Sequence, residues 1–237
     1  MKVISYIEKN TKFIKTQYNS LKNYLKNEFE YIIFYDETVD ICKDSNIQYI
    51  KIPKMEDYSL KMNFILKYQI ANPDKYLMIK YDMILIDNLD IDEKYKDHKI
   101  AFNLRTKFDK TISRCIWNGI IYIDMKKIDD IYYLDWCNGE EWLNRQLKEY
   151  EQLPSIYEID FNRFDNYNTS NLYIIKSMKS YTWTINELPR NLKDNEKLID
   201  FLKTDKRNHG ELIYSEIYDN IYIHLNEING DEIIIDF

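Results

Sequence analysis

The feature that most constrains this chain is alternation: short apolar runs of strand character take turns with longer stretches whose apolar residues recur at helical spacing. Lys2–Tyr6 reads as an opening strand. Thr11–Lys26 places Phe13, Ile14, Tyr18, Leu21, Tyr24 and Leu25 at helical intervals, with Thr11 as N-cap. Tyr31–Tyr35 is an unbroken apolar run ending at Asp36, as expected of a strand buried on both faces. A short helix is expected over Asp40–Asp44, and Gln48–Ile52 is a strand stopped by Pro53. The cycle then repeats. Tyr58–Ile70 is helix-like with Leu60, Phe64, Ile65 and Tyr68 on one side, Asn72-Pro73-Asp74 breaks it, and Tyr76–Ile79 is a strand running into Lys80-Tyr81-Asp82. Lys99–Leu104 and Trp117–Ile123 are further strands, and Trp136–Tyr150 is a helix. Leu172–Ser177, Glu196–Lys203 and Ile217–His224 read as strand, helix and strand.

Strands alternating with helices of this length predict βαβ units, and so an α/β fold with a mostly parallel sheet. A length of 237 residues suits one domain over the whole chain, with enough buried apolar surface to need no covalent staples. In open sheets of this kind ligands bind beyond the carboxyl ends of the strands. That rule selects Tyr6, Asp36, Lys80–Asp82 and the segment after Leu104.

Composition excludes several classes. The three cysteines, Cys42, Cys115 and Cys137, are odd in number and widely spaced, forming neither a disulfide framework nor a zinc cluster. They fit a reducing compartment. The first residues carry a charge every few positions and no apolar signal core, so a cytoplasmic protein is expected. No apolar run approaches the roughly 18 residues of a membrane span. A net charge of −7 argues against general nucleic-acid binding. The absence of GxGxxG and of GxxxxGK[ST] argues against a nicotinamide enzyme or a P-loop NTPase. The bias toward Ile, Lys, Asn and Tyr matches AT-rich codons and a bacterial, phage or large-virus source.

Local chemistry leaves alternatives. Arg105, Lys107, Lys110 and Arg114 face one Asp109 in a short stretch that is either a solvated face or a phosphate receiver. Asp36 can bond a ribose or base, or simply begin a turn. Lys80 and Asp82, two apart on a strand, are expected on one side of it, as a ligand-facing pair or a solvated terminus. Asn118 and Gly119 follow Trp117, and the glycine permits close backbone approach. Asp135, Glu140 and Glu141 lie near a helix start, where a carboxylate either deprotonates a hydroxyl or complements the helix dipole. His224, on an Ile-Tyr-Ile strand, is by itself a structural residue.

The order of segments resembles the GT-A class of glycosyltransferases, in particular small bacterial and viral members. The resemblance spans roughly Lys2 to Asn229 and rests on FIKTQYNSLKNYLKNEFEYIIFYDE, KYLMIKYDMILID, IWNGIIYIDM, LDWCNGEEWLN and IYIHLNEIN. It implies a GT-A-like (Rossmann-like) mixed, mostly parallel sheet flanked by helices, with residues 1–104 as the nucleotide-binding half and 105–237 as the acceptor half. It implies a hexosyltransferase-like enzyme moving a sugar from a nucleotide-sugar donor to a glycan, protein or small-molecule acceptor. Tyr6, Asp36, Lys80, Asp82, Arg105, Asn118 and Gly119 would form the donor site, and Glu140, Glu141 or Asp135 would serve the acceptor. The chain departs from the class where Asp-x-Asp is expected, having Lys80-Tyr81-Asp82. Two outcomes follow: Mn²⁺ or Mg²⁺ held by Asp82 and His224, or no metal, with the Lys80 charge in its place. The alternative function is a catalytically inactive GT-A-like module that binds a glycan or a protein. A nucleotidyltransferase is disfavoured by the incomplete carboxylate pair.

Overall fold

The computed structural model describes residues 1–7, 11–55, 58–108, 112–128, 172–175, 177–179, 183–184, 188, 192–203, 212–213 and 215–225. The strands are β1 (Lys2–Ile7), β2 (Glu30–Tyr35), β3 (Gln48–Lys51), β4 (Lys75–Ile79), β5 (Met83–Leu85), β6 (Ile100–Phe108) and β7 (Ile112–Asp124). They continue with β8 (Leu172–Ile175), β9 (Ser177–Lys179), β10 (Trp183–Thr184), β11 (Leu212–Ile213), β12 (Glu216–Tyr218) and β13 (Tyr222–His224). The helices are α1 (Ile14–Tyr24), α2 (Tyr58–Ala71), α3 (Ile91–Lys94) and α4 (Glu196–Lys203).

Seven strands form one sheet in the order β3-β2-β1-β4-β7-β6-β8. The pairings β1–β2, β1–β4, β2–β3 and β6–β8 are parallel, and β7 is antiparallel to both of its neighbours. This is the mixed, mostly parallel α/β sheet expected. Alternate residues feed two cores. Val3, Ile7, Ile33, Leu77 and Ile79 meet Phe13, Ile14, Leu21 and Tyr24 of the α1 region on one face. Ile4, Ile32, Phe34, Tyr76 and Met78 meet Met62, Ile65 and Leu66 of α2 on the other. Two covered faces explain why β2 is an unbroken apolar run rather than an alternating one. Full burial of a side chain such as Ile32 contributes about 2 kcal/mol relative to exposure.

A second, antiparallel sheet has the order β5-β13-β12-β9. Its residues Met83, Leu85, Ile217, Tyr222 and Ile223 pack into the same core as α1 and α4. It joins a segment near residue 83 to one near residue 224, and that junction builds the site.

Several local expectations are corrected. Helix α1 starts at Ile14, with Phe13 as N-cap and no side-chain cap, and the Thr11 carbonyl accepts from Ile14 N–H (3.1 Å). Asp40–Asp44 is not helical; just beyond it the Asp44 carboxylate accepts from Asn46 N–H (2.8 Å), a local bond that competes with helix. Among the described side chains of α2 the buried positions are Lys61, Met62, Ile65, Leu66 and Gln69, while Leu60 is 54% exposed and Phe64 and Tyr68 are half-buried. The single strand expected over Ile217–His224 is a hairpin, β12 and β13, turned at Asp219 (φ 49°) and Asn220 (φ 56°). Two positive φ values in succession make the tight turn that matches strand twist, and Asp and Asn tolerate it. The helix expected over Trp136–Tyr150 lies outside the described residues. Among the described residues no helix is long and apolar enough to cross a membrane.

Candidate functional site

The site begins at the carboxyl end of β4. The strand stops at Ile79, and Lys80-Tyr81-Asp82-Met83 is a turn closed by Met83 N–H donating to the Lys80 carbonyl (2.9 Å). Lys80 and Asp82 therefore meet through a turn; the expectation that strand alternation aligns them is corrected, because the extended backbone ends one residue earlier.

A buried glutamine fixes this turn. Gln17 lies on the inner face of α1, and its Nε2 donates to the carbonyls of Lys80 (2.8 Å) and Met83. Its Oε1 accepts from the Tyr31 hydroxyl and lies 2.7 Å from Ser5 Oγ, which also faces the Ile79 carbonyl at 2.9 Å. Both N–H donors of the amide are thus used, and its oxygen faces two hydroxyls, of which Ser5 shares its one hydrogen between Gln17 and Ile79. A fully satisfied buried polar group specifies one arrangement, where a partly satisfied one would weaken it.

Around the turn four charged side chains form a chain. Lys80 Nζ lies 3.1 Å from Asp82 Oδ2 and 3.4 Å from His224 Nε2. His224 Nε2 lies 3.2 Å from Asp82 Oδ2, and His224 Nδ1 lies 3.1 Å from Glu216 Oε2. Glu216 Oε2 also accepts from the Tyr218 hydroxyl (2.9 Å). Backbone pairing sets these positions: His224 registers with Met83 on one side and with Glu216 on the other, and Leu225 N–H donates to the Asp82 carbonyl (2.9 Å). The Asp82 side chain is fully buried and that of Lys80 is 37% exposed. The ammonium is therefore the most exposed member of this chain of charges.

Both ring nitrogens of His224 face carboxylates, an arrangement that favours the imidazolium form over the neutral ring. Burial works against that charge, but attraction to Asp82, with hydrogen bonds to Asp82 and Glu216, raises its pKa above the usual imidazole range. Burial likewise disfavours the Asp82 charge, and His224 followed by Lys80 outweighs it, leaving its pKa below the usual carboxylate range. Asp82 Oδ1 is buried with no hydrogen-bond partner among the described residues. As a metal centre this corner offers Asp82 and His224, the two ligands anticipated from the sequence. The ammonium lies against both donor atoms, and a divalent ion does not fit beside it. Among the described residues no group of three or more His, Cys, Asp or Glu is arranged to hold a metal ion.

A second polar corner lies at the ends of β1 and β2, on the same carboxyl edge. Tyr6 donates its hydroxyl to Asp36 Oδ2 (3.1 Å). Thr38 donates its N–H (2.9 Å) and its hydroxyl to Asp36 Oδ1, so Asp36 heads a turn. Lys61 of α2 brings its Nζ to 3.9 Å from Asp36 Oδ2 and 5.2 Å from the centre of the Tyr6 ring. Burial pushes the Asp36 pKa up, but the bonds from Thr38 and Tyr6 and the Lys61 charge outweigh it, and the carboxyl titrates below its usual range.

Gly119 is brought to the Lys80 turn, its carbonyl accepting from Lys80 N–H (2.8 Å). The β6–β7 register jumps from Phe102↔Ile121 to Asn103↔Trp117, so Asn118, Gly119 and Ile120 bulge out of the β6 ladder while Ile120 stays paired with Ile79 of β4. Such bulges re-aim a strand beside a site. Arg105 pairs in register with Cys115 beyond this bulge. Asp135, Glu140 and Glu141 lie outside the described residues.

Sequence reading missed Gln17, Lys61 and Glu216. Gln17 had a signal, as a polar residue on the apolar stripe Ile14, Leu21, Tyr24. Glu216 had one too: Asp219-Asn220 read as a hairpin turn sets it opposite His224. Lys61 had none.

No family model matches this chain, and no curated protein sequence matches it. Among solved structures it is similar to a crystal structure of the galactosyltransferase LgtC in complex with donor and acceptor sugar analogs. The match has 14% identity, covers 76% of this chain and 75% of that one, and has a TM-score of 0.43.

Proposed function

We propose that this chain transfers a sugar from a nucleotide-sugar donor to an acceptor hydroxyl. The observation that carries this reading is the partly exposed Lys80 ammonium, braced by the buried Asp82 and His224 at the carboxyl edge of a mostly parallel sheet. That edge is where open α/β sheets take their ligands. A fixed cation there suits the diphosphate of a donor.

In such a transfer the bond between the anomeric carbon and the phosphate oxygen breaks, and its electron pair leaves on the nucleoside diphosphate. The acceptor oxygen bonds the anomeric carbon, and its proton passes to a carboxylate or to the leaving group. Lys80 stabilises the charge growing on the diphosphate, and its bracing means that little reorganisation is needed as that charge develops. Arg105 is a second candidate cation. Asp36, held ionised by its bonds from Thr38 and Tyr6 and by the Lys61 charge, fixes the Tyr6 hydroxyl at the donor end of the site. Gly119 and Asn118 flank the sugar. Asp135, Glu140 and Glu141 are the candidates for taking the acceptor proton, and metal ions are not required.

The test is a thermal-shift screen of nucleotide-sugars and nucleoside diphosphates in EDTA, on the wild type and on Lys80→Met. A ligand of the folded state raises the melting temperature by linkage. The expected result is a shift with one nucleotide class that survives EDTA, with affinity falling about tenfold, or about 1.4 kcal/mol, in Lys80→Met. No shift with any nucleotide, with or without Mn²⁺, overturns the reading.

A further inference from the structure

We infer that the Lys80 ammonium stands where a third ligand of a divalent cation would stand, so that the corner excludes metal as built and becomes a divalent-metal site when Lys80 is exchanged for a carboxylate. In its bearing on catalysis this rests on the donor reading above. As a statement about metal binding it rests on the corner alone.

Three observations carry it. Two atoms bound to one first-row cation at ~2.1 Å stand about 3.0–3.4 Å apart. Asp82 Oδ2 and His224 Nε2 are 3.2 Å apart, with Lys80 Nζ at 3.1 Å and 3.4 Å from them as the third vertex. The spacing is that of two ligands sharing an ion, and a charged nitrogen sits where a third ligand would stand.

The second observation is an unused donor. Asp82 Oδ1 is buried and unpartnered among the described residues, although a buried carboxylate oxygen ordinarily has a hydrogen bond. With the ammonium gone, Asp82 can turn either oxygen to an ion.

The third is support behind the imidazole. Ligating histidines almost always hold their second nitrogen against a carboxylate or carbonyl, which fixes the ring and its ligating nitrogen. His224 Nδ1 lies against Glu216, itself held by the Tyr218 hydroxyl. The arrangement points Nε2 at the shared corner.

With Lys80→Asp the corner holds two carboxylates and one imidazole. Oxygen-rich sites with one imidazole suit Mn²⁺, which makes it the probe. The experiment titrates Mn²⁺ into wild type, Lys80→Asp and the longer Lys80→Glu, following loss of the free-ion electron paramagnetic resonance signal, with circular dichroism confirming the fold. The expected result is no saturable binding by wild type, and binding of about one ion, at least tenfold tighter, by one of the two variants. His224→Gln added to that variant should weaken binding by about ten- to a hundredfold.

Saturable binding by wild type that Asp82→Asn removes overturns the inference, because the ion would then displace the ammonium. Folded Lys80→Asp and Lys80→Glu proteins that bind no better than wild type overturn it equally. Neither readout needs a donor or an acceptor. A gain of Mn²⁺ binding in a protein that no nucleotide stabilises leaves this inference standing while the donor reading falls.

Discussion

The two polar corners of the carboxyl edge are built on opposite plans. At Asp36 the carboxylate is saturated: Thr38 occupies one oxygen, Tyr6 and Lys61 the other. At Asp82 one oxygen carries both Lys80 and His224, and the other has no partner among the described residues. The Asp36 corner is also assembled from the first third of the chain, whereas the Asp82 corner needs a histidine 142 positions away. A saturated carboxylate is a rigid part. A half-used one, beside a partly exposed cation, is a place where chemistry remains available.

The largest break in this contrast comes from His224→Ala. It leaves the fully buried Asp82 with Lys80 alone and Glu216 without its ring partner, and removing one member of a buried ion pair costs on the order of 3 kcal/mol. Urea denaturation should show this as a fall in midpoint with unchanged slope. Asp36→Ala should cost less, about 2 kcal/mol, because its lost partners are nearer solvent and mostly neutral. Equal losses would erase the distinction between the corners. Glu216→Gln should cost about 1 kcal/mol, since the amide still accepts from His224 but without its charge.

Acid and base sharpen the comparison without any substitution. His224 holds its proton more tightly when folded, so its contribution is fully present below about pH 6.5 and is lost as pH rises through the raised pKa. Asp82 and Asp36 are both depressed, so their contributions are present above about pH 3.9 and are lost as pH falls through the lowered values. The Asp82 corner should weaken on both sides, and the Asp36 corner on the acid side only. Melting temperature against pH should show an alkaline decline that His224→Gln removes and Asp36→Asn leaves. The smallest expected effect is that of Lys61→Met, about 0.5 kcal/mol, because the 3.9 Å approach to Asp36 is long for an ion pair.

The sheet was legible because its strands announce themselves. Tyr31–Tyr35 and Tyr76–Ile79 are apolar on both faces, and a strand that must be covered twice leaves little else to read. Helix α4 was read with its own bounds, since Leu198, Phe201 and Leu202 fall on one face. The site was legible as positions and not as a constellation. Strand-end logic found Tyr6, Asp36, Lys80 and Asp82, all in the first half of the chain. What ties them together is tertiary: the bonds of Gln17, the hairpin that turns Glu216 toward His224, and the α2 face that delivers Lys61. Helix α2 was read to within one residue of its bounds, but its buried side was not, because apolar residues stand on several faces, with Leu60 outward and Met62 inward, and periodicity alone could not choose between them.

The hairpin that carries His224 also governs when the corner comes into being. On the ribosome β1 to β4 can pair as soon as they emerge, since these registers lie within the first 79 residues, and α1 gains its bonds to the Lys80 turn and to Leu85 as residues 80–85 follow. Asp82 then stands at the end of a finished strand pair with neither its imidazole nor that ring's glutamate behind it. Only when residues 216–224 have been made does the second positive partner of Asp82 arrive, with the glutamate behind it. A nascent chain thus passes through a stage with a folded floor and an Asp82 answered by Lys80 alone, and the braced corner is completed late in synthesis.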